Sequence, residues 1–136
     1  MNQEQVAQWC ARYKHAWETQ DADLFVTLFS PTCEYRVTPF TEPVPAKLFR
    51  GFWQELAKMQ LDNRIDFEIL GMASGQRVMV RWEARSTRRE TALKRKGSGV
   101  FLLRFDAEGR CSDLIEWQHW HPAEAPLERL DWIPQS

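Results

Sequence analysis

Apolar residues recur at helical spacing from the start of the chain. Val6, Trp9, Cys10, Tyr13, Ala16 and Trp17 fall on one stripe, while Gln8, Arg12, Lys14 and Glu18 take the other side. That spacing predicts a helix lying on a surface with one face buried. Asn2 suits its N-cap, and Gln5 is placed to reach back to it. A second, short helix is expected from Asp21 or Asp23, carrying Leu24, Phe25, Leu28 and Phe29 and stopping at Pro31. Residues 33–38 read as a strand ended by Pro39. A third helix is predicted over 45–60, opened by Pro45 and faced with Leu48, Phe49, Phe52, Trp53, Leu56 and Met59.

The period then changes from helical to alternating. Residues 64–72 place Ile65, Phe67 and Ile69 against Asp66, Glu68 and Leu70. Residues 76–87 place Val78, Val80, Trp82 and Ala84 on one face and Arg77, Arg81, Glu83 and Arg85 on the other. Further strands are expected over 98–106 and 111–121, with a turn at 107–109. Helices followed by a meander of long strands predict an α+β domain, its helices packed on one face of an antiparallel sheet. Residues 1–122 are expected to form this domain and 123–136 an irregular tail.

A length of 136 residues suits one domain. Hydrophobic residues at 43% and charged residues at 27% exclude wholesale disorder. No apolar run approaches the ~20 residues of a membrane span. The polar start, MNQEQVAQW, lacks a signal-peptide layout, so a cytoplasmic protein is expected. A net charge of −1 demands no polyanionic partner, and nucleic acid is not expected. Three widely spaced cysteines give neither a disulfide framework nor a zinc pattern, and they read as free thiols. Seven tryptophans stand out, because a buried indole wants a partner for its N–H. They point to an aromatic-walled cavity, a large interface, or both.

The ordered set of Tyr13, AWETQDADLFVTLF, EYRVTPFTEP, Phe52-Trp53, GVFLLRFDAEGR and IEW resembles the NTF2-like superfamily, and within it the SnoaL-like, polyketide-cyclase-related branch. The resemblance spans roughly residues 5–121. It implies a cystatin-like cone: three N-terminal helices packed on a strongly curved sheet, with a pocket between them. It also implies a homodimer through the outer sheet face. The superfamily hosts isomerases, cyclases, hydrolases, dehydratases and non-catalytic binding modules, so function has to be argued from the site. In its ketosteroid-isomerase branch, a first-helix tyrosine corresponds to Tyr13. The general base of that branch falls at Thr38, before Pro39. Threonine cannot remove a carbon-bound proton at neutral pH, which counts against that mechanism.

If Thr38 faces the pocket, Arg36 shares its face and needs a carboxylate. Glu116 is the first candidate and Glu83 the second. Glu116 lies in LIEWQHW, where an apolar setting would raise its pKa and fit it for acid or base work. Both faces of that strand are aromatic: Leu114, Glu116, Gln118 and Trp120 on one, Ile115, Trp117, His119 and His121 on the other. The Glu116 face is expected to point inward, with the other face as the alternative. The expected site therefore has Glu116, Tyr13 and Arg36 as catalytic residues, with Trp17, Thr38, Phe40, Trp53, Trp82 and Gln118 lining the pocket. No metal or cofactor is expected, since no phosphate-binding loop, dinucleotide glycine pattern or H-E-x-x-H is present. His119-x-His121 lacks a third ligand. The RSTRRETALKRKG stretch at 85–97 reads as the solvated, basic loop of a β-hairpin. The expected ligand is a small, apolar, oxygen-bearing organic molecule. A non-catalytic dimer is the alternative function.

Overall fold

The computed structural model describes residues 1–132 and 134. Helix α1 (Gln3–Thr19) starts at a reciprocal cap. Asn2 Oδ1 accepts from Gln5 N at 2.8 Å, and Gln5 Oε1 accepts from Asn2 N at 3.0 Å. Helix α2 (Ala22–Thr27) is capped by Asp21, whose side chain accepts from Leu24 N. Strand β1 (Phe29–Arg36) begins four residues earlier than the expected 33, so Pro31 lies inside a strand. It is tolerated because the ladder to the neighbouring strand is interrupted between Phe29 and Glu34. A two-residue strand, β2 (Val44–Pro45), and a 3-10 turn over Ala46–Leu48 precede helix α3 (Phe49–Met59). Four long strands follow: β3 (Gln60–Ala73), β4 (Arg77–Arg88), β5 (Lys94–Phe105) and β6 (Cys111–Pro122).

The six strands form one sheet in the order β2-β1-β6-β5-β4-β3. The expected antiparallel sheet is in fact mixed, because β1 runs parallel to β6. The other neighbours are antiparallel. The helices lie on one face. There α1 is tied to β3 by Lys14, whose Nζ donates to the Ile65 carbonyl at 2.7 Å and to Glu18 at 2.8 Å. Glu18 in turn accepts from Ile65 N at 3.0 Å. Among the described residues, no helix is long and apolar enough to cross a membrane.

Register puts the inward side chains in rows, because alternate residues of a strand share a face. At one end Val78, Leu103 and Leu114 sit level with each other and are buried to 1% exposure or less. The middle rows hold Val80, Phe101 and Glu116, then Trp82, Gly99 and Gln118. The far end holds Ser86 opposite Arg95, beyond Trp120. The core is aromatic: the Tyr13 ring lies 5.5–5.9 Å from Trp9, Phe25, Trp53, Phe67 and Phe101. Phe25 stacks on Trp53 at 3.6 Å.

Two glycines in β5 make room for tryptophans. A Cβ on Gly97 would sit 2.8 Å from the Trp120 ring. A Cβ on Gly99 would sit 2.3 Å from the Trp117 carbonyl oxygen and 2.5 Å from the Trp82 ring. The obstruction at Gly99 includes backbone, which cannot swing aside. We expect Gly99→Ala to lower stability by about 1–3 kcal/mol, the usual cost of overpacking. Thermal denaturation followed by circular dichroism checks this.

Candidate functional site

Between the helices and the far end of the sheet lies a cavity of about 470 Å³. Tyr13 and Trp17 of α1, Tyr35 of β1 with the adjacent Val37, and Phe52, Trp53 and Leu56 of α3 supply apolar walls. The sheet supplies Ser86, Glu116, Gln118 and Trp120, with Arg88 and Arg95 towards the mouth. A larger groove of about 670 Å³ runs over the outer sheet face, lined by Arg64, Asp66, Glu83, Lys96, His119 and His121 among others. Most of those side chains are solvent-exposed and charged, so the groove lacks the dry walls that would perturb a reacting group.

Glu116 is 8% exposed and receives a hydrogen bond on Oε2 from the Tyr35 hydroxyl at 3.1 Å. Among the described residues, no cation lies within 4.0 Å of it. Burial therefore dominates and pushes its pKa up to about 8, with the Tyr35 hydrogen bond pulling the other way. The Tyr13 hydroxyl neighbours that of Tyr35. Burial first, and the Glu116 charge second, push both phenols well above their ordinary range. Both stay protonated and available as donors. An acid poised near neutrality beside two phenolic donors can move a proton and stabilise a developing oxyanion.

Gln118 is fixed by its neighbours: Nε2 donates to the Val37 carbonyl at 3.1 Å, and Oε1 accepts from Trp120 Nε1 at 2.9 Å. Ser86 donates to Asn63 Oδ1 at 3.0 Å, and Asn63 donates to the Trp17 carbonyl. These bonds tie the cavity wall to α1.

Of the residues singled out in the sequence, Tyr13, Trp17, Trp53, Glu116 and Gln118 come together around this cavity. Arg36, Thr38, Phe40 and Trp82 do not. The inward face of β1 and its continuation is Cys33, Tyr35 and Val37, one residue out of step with the expectation. Arg36 points the other way and pairs with Glu34 at 3.3 Å and Asp113 at 4.0 Å, so Glu116 is not its partner. Glu83 pairs with Arg81 on the outer face. Thr38 closes a turn, accepting from Phe40 N at 3.1 Å, and Phe40 itself is 96% exposed. Trp82 faces inward but is sealed beneath Phe101 and Trp120, with ring centroids 6.1 and 5.8 Å away. His119 and His121 lie on the outer-face groove, and among the described residues no group of three or more His, Cys, Asp or Glu side chains could hold a metal ion.

Tyr35 joins the candidate site although it is not among the residues singled out in the sequence. Its signal was present in CEYRVT, where the apolar members are Cys33, Tyr35 and Val37. The basic 85–97 stretch, expected as a hairpin loop, is mostly strand. Only 89–93 connects the strands, and Arg88 and Arg95 turn towards the cavity.

The family model of the SnoaL-like domain matches residues 10–114. No curated protein matches the sequence. Among solved structures, an NTF2-like protein of unknown function from Exiguobacterium sp. 255-15 superposes with a TM-score of 0.70 at 16% identity, covering 82% of this chain and 98% of that one. A provisionally assigned scytalone dehydratase from Novosphingobium aromaticivorans gives 0.76 at 8% identity, covering 97% and 94%. A hexachlorocyclohexane dehydrochlorinase, LinA type 2, gives 0.76 at 7% identity, covering 96% and 94%. At these identities the likeness establishes the fold, which is NTF2-like.

The raised pKa of Glu116 links stability to pH. The folded state holds its proton up to about pH 8, while the unfolded carboxyl releases it near 4.5. Between those values the folded state binds more protons, so stability falls as pH rises, by up to about 1.4 kcal/mol per pH unit. Glu116→Gln is expected to flatten this slope and to exceed the wild type in melting temperature at pH 9. Tyr35→Phe is expected to move the slope's upper limit to higher pH. Melting curves across pH 4–9 decide both.

Proposed function

Because this chain belongs to the SnoaL-like domain family, we propose that its cavity binds a small, apolar, oxygen-bearing organic molecule and that Glu116 performs cofactor-free acid–base chemistry on it. The observation that carries this reading is the buried Glu116 carboxyl facing a cavity of about 470 Å³ beside Tyr35. In this scheme the ionised carboxylate accepts a proton from a carbon next to an oxygen-bearing carbon. The electron pair moves towards that oxygen, where the phenol of Tyr13 or Tyr35 donates to the growing negative charge. Glu116, now protonated, returns the proton at a second carbon or to a departing hydroxyl. The first outcome is an isomerisation or cyclisation, and the second a dehydration. The structural neighbours named for a dehydratase and a dehydrochlorinase support eliminations as a class. A non-catalytic dimer whose cavity is filled by its own aromatics would leave no open space around its acid. The free volume beside Glu116 favours a ligand-binding cavity over that alternative.

The test is tryptophan fluorescence titrated with steroids, polycyclic aromatics, terpenoid epoxides and short keto acids. A saturable change in the wild type that is altered in Trp53→Phe locates the ligand in the cavity. For a molecule that is turned over, Glu116→Gln should keep binding within about threefold while turnover falls by about 10²–10⁴. Silence across the panel, or full turnover by Glu116→Gln, would sink the reading.

We also infer a homodimer through the outer sheet face. Met79, Leu102 and Ile115 align across three strands, with Val100 and Trp117 in the next row. Met79 and Trp117 remain 38% and 44% exposed, unusual for side chains of their size. Arg81 sits between Glu68 and Glu83 at the patch edge, so both charge signs are present for a two-fold pairing. Three buried free cysteines suit the reducing cytoplasm. Light scattering should give twice the 16.1 kDa chain mass for the wild type and a monomer for Trp117→Arg.

A further inference from the structure

The inward rows of the sheet change in character along its length. They run from Val78, Leu103 and Leu114 at the closed end, past Glu116, to Gln118, Trp120 and then Arg95 and Arg88 at the mouth. A purely apolar ligand gives no reason for that last step. Among the described residues, neither Arg88 nor Arg95 has a carboxylate within 4.0 Å, although most other arginines of the strands are paired or exposed on the outer face. Arg95 is half-buried, with its guanidinium 5.3 Å over the Trp120 ring, which holds the side chain against the cavity wall. Trp120 is itself held by Gln118 and given room by Gly97. Burial, and then the neighbouring charge of Arg88, lower the Arg95 pKa. Glu116 does not balance them: it is held near neutrality and sits deep in the cavity. A half-buried cation with a second, exposed one beside it at a cavity rim is stabilised by an anion, and a guanidinium is shaped to bind carboxylate, sulfonate or phosphate oxygens.

From this geometry we propose that the ligand is an amphipathic anion: its apolar, oxygen-bearing body reaches Glu116 and Tyr35, and its anionic group is clamped at the mouth by Arg88 and Arg95. The row of Glu116 lies four residues from that of Trp120, about 14 Å along the strand. The ligand is therefore elongated, with the reacting oxygen and the anionic group at opposite ends. The inference rests on the cavity being the ligand site and adds the charge and polarity of what enters it.

The matched probes are naphthylacetate and its uncharged amide, naphthylacetamide. Binding is followed by proton–nitrogen NMR through the indole groups of Trp17, Trp53 and Trp120, which ignores probe bound on the outer face at Trp117. For the wild type, the acid should bind about tenfold more tightly than the amide, and the gap should shrink with added salt. In Arg88→Met/Arg95→Met, the acid should lose about tenfold while the amide is unchanged, which also shows that the variant is folded. Lys96→Gln, on the outer side of β5, should change neither. Equal binding of acid and amide, a loss shared equally by both, or unchanged acid binding in the double variant would overturn the anion clamp while leaving the cavity reading standing. If neither probe shifts the cavity indoles of the wild type, the cavity reading itself fails. Should the double variant not fold, the wild-type comparison of acid with amide and its salt dependence decide alone.

Discussion

A carboxyl group cannot be taken into an aromatic interior without a proton or a partner, and Glu116 has a single neutral partner, the Tyr35 hydroxyl. That one bond needs three independent placements. The parallel register of β1 on β6 sets Tyr35 level with Leu114, one inward position away from Glu116. Phe49 and Phe52 of α3 pack against the Tyr35 ring at 5.8 and 6.2 Å and fix its direction. The antiparallel register of β6 on β5 sets Phe101 opposite Glu116 and closes off water from that side. An arginine partner would have ionised the acid permanently. A phenol leaves it able to exchange its proton near neutral pH.

The same economy extends to the walls. An indole that lies flat across a sheet needs a small residue on the strand beside it. Here the two glycines of β5 let Trp82 and Trp120 lie across the sheet surface. Trp82 fills the space below the cavity, and Trp120 becomes its side wall. Gln118 links that wall to the residue after β1 through the Val37 carbonyl and to the indole through Trp120 Nε1. The side chains nearest the proposed chemistry are thus positioned by ring packing and short polar links, and both resist reorientation. Preorganisation of this kind makes donors effective when charge develops.

The outer face obeys different physics. Its charged side chains pair locally, as in Arg81 with Glu68 and Glu83 and Arg36 with Glu34. Pairs at such exposure contribute little to stability. They keep most of a broad sheet face soluble and leave the Met79–Trp117 patch as its apolar region. Arg88 and Arg95 differ because they belong to the inner rows and have no such neighbours among the described residues.

Periodicity alone determined much of this protein. The apolar stripe of α1, the alternation in β3 and β4 and the inward direction of Trp82 were legible, because burial selects side chains at the period of the backbone. The acid at position 116 stood out for the same reason, as a charge set among the apolar and aromatic residues of LIEWQHW. The extent and neighbours of each strand were decided only by the tertiary structure. Pro31 looked like a stop, yet a break in the β1–β6 ladder absorbs it. A one-residue step in β1 exchanged Arg36 and Thr38 for Tyr35 and Val37, since a shift of one position flips every side chain to the other face. The basic run at 85–97 carried no local sign that two of its six basic residues would face a cavity. Their direction follows from the alternation of β4 and β5 continuing past the point where the sequence suggested a loop. A sequence records which residues prefer to be buried together. Which polar side chain meets which across the sheet depends on register, and register is a property of the whole assembled fold.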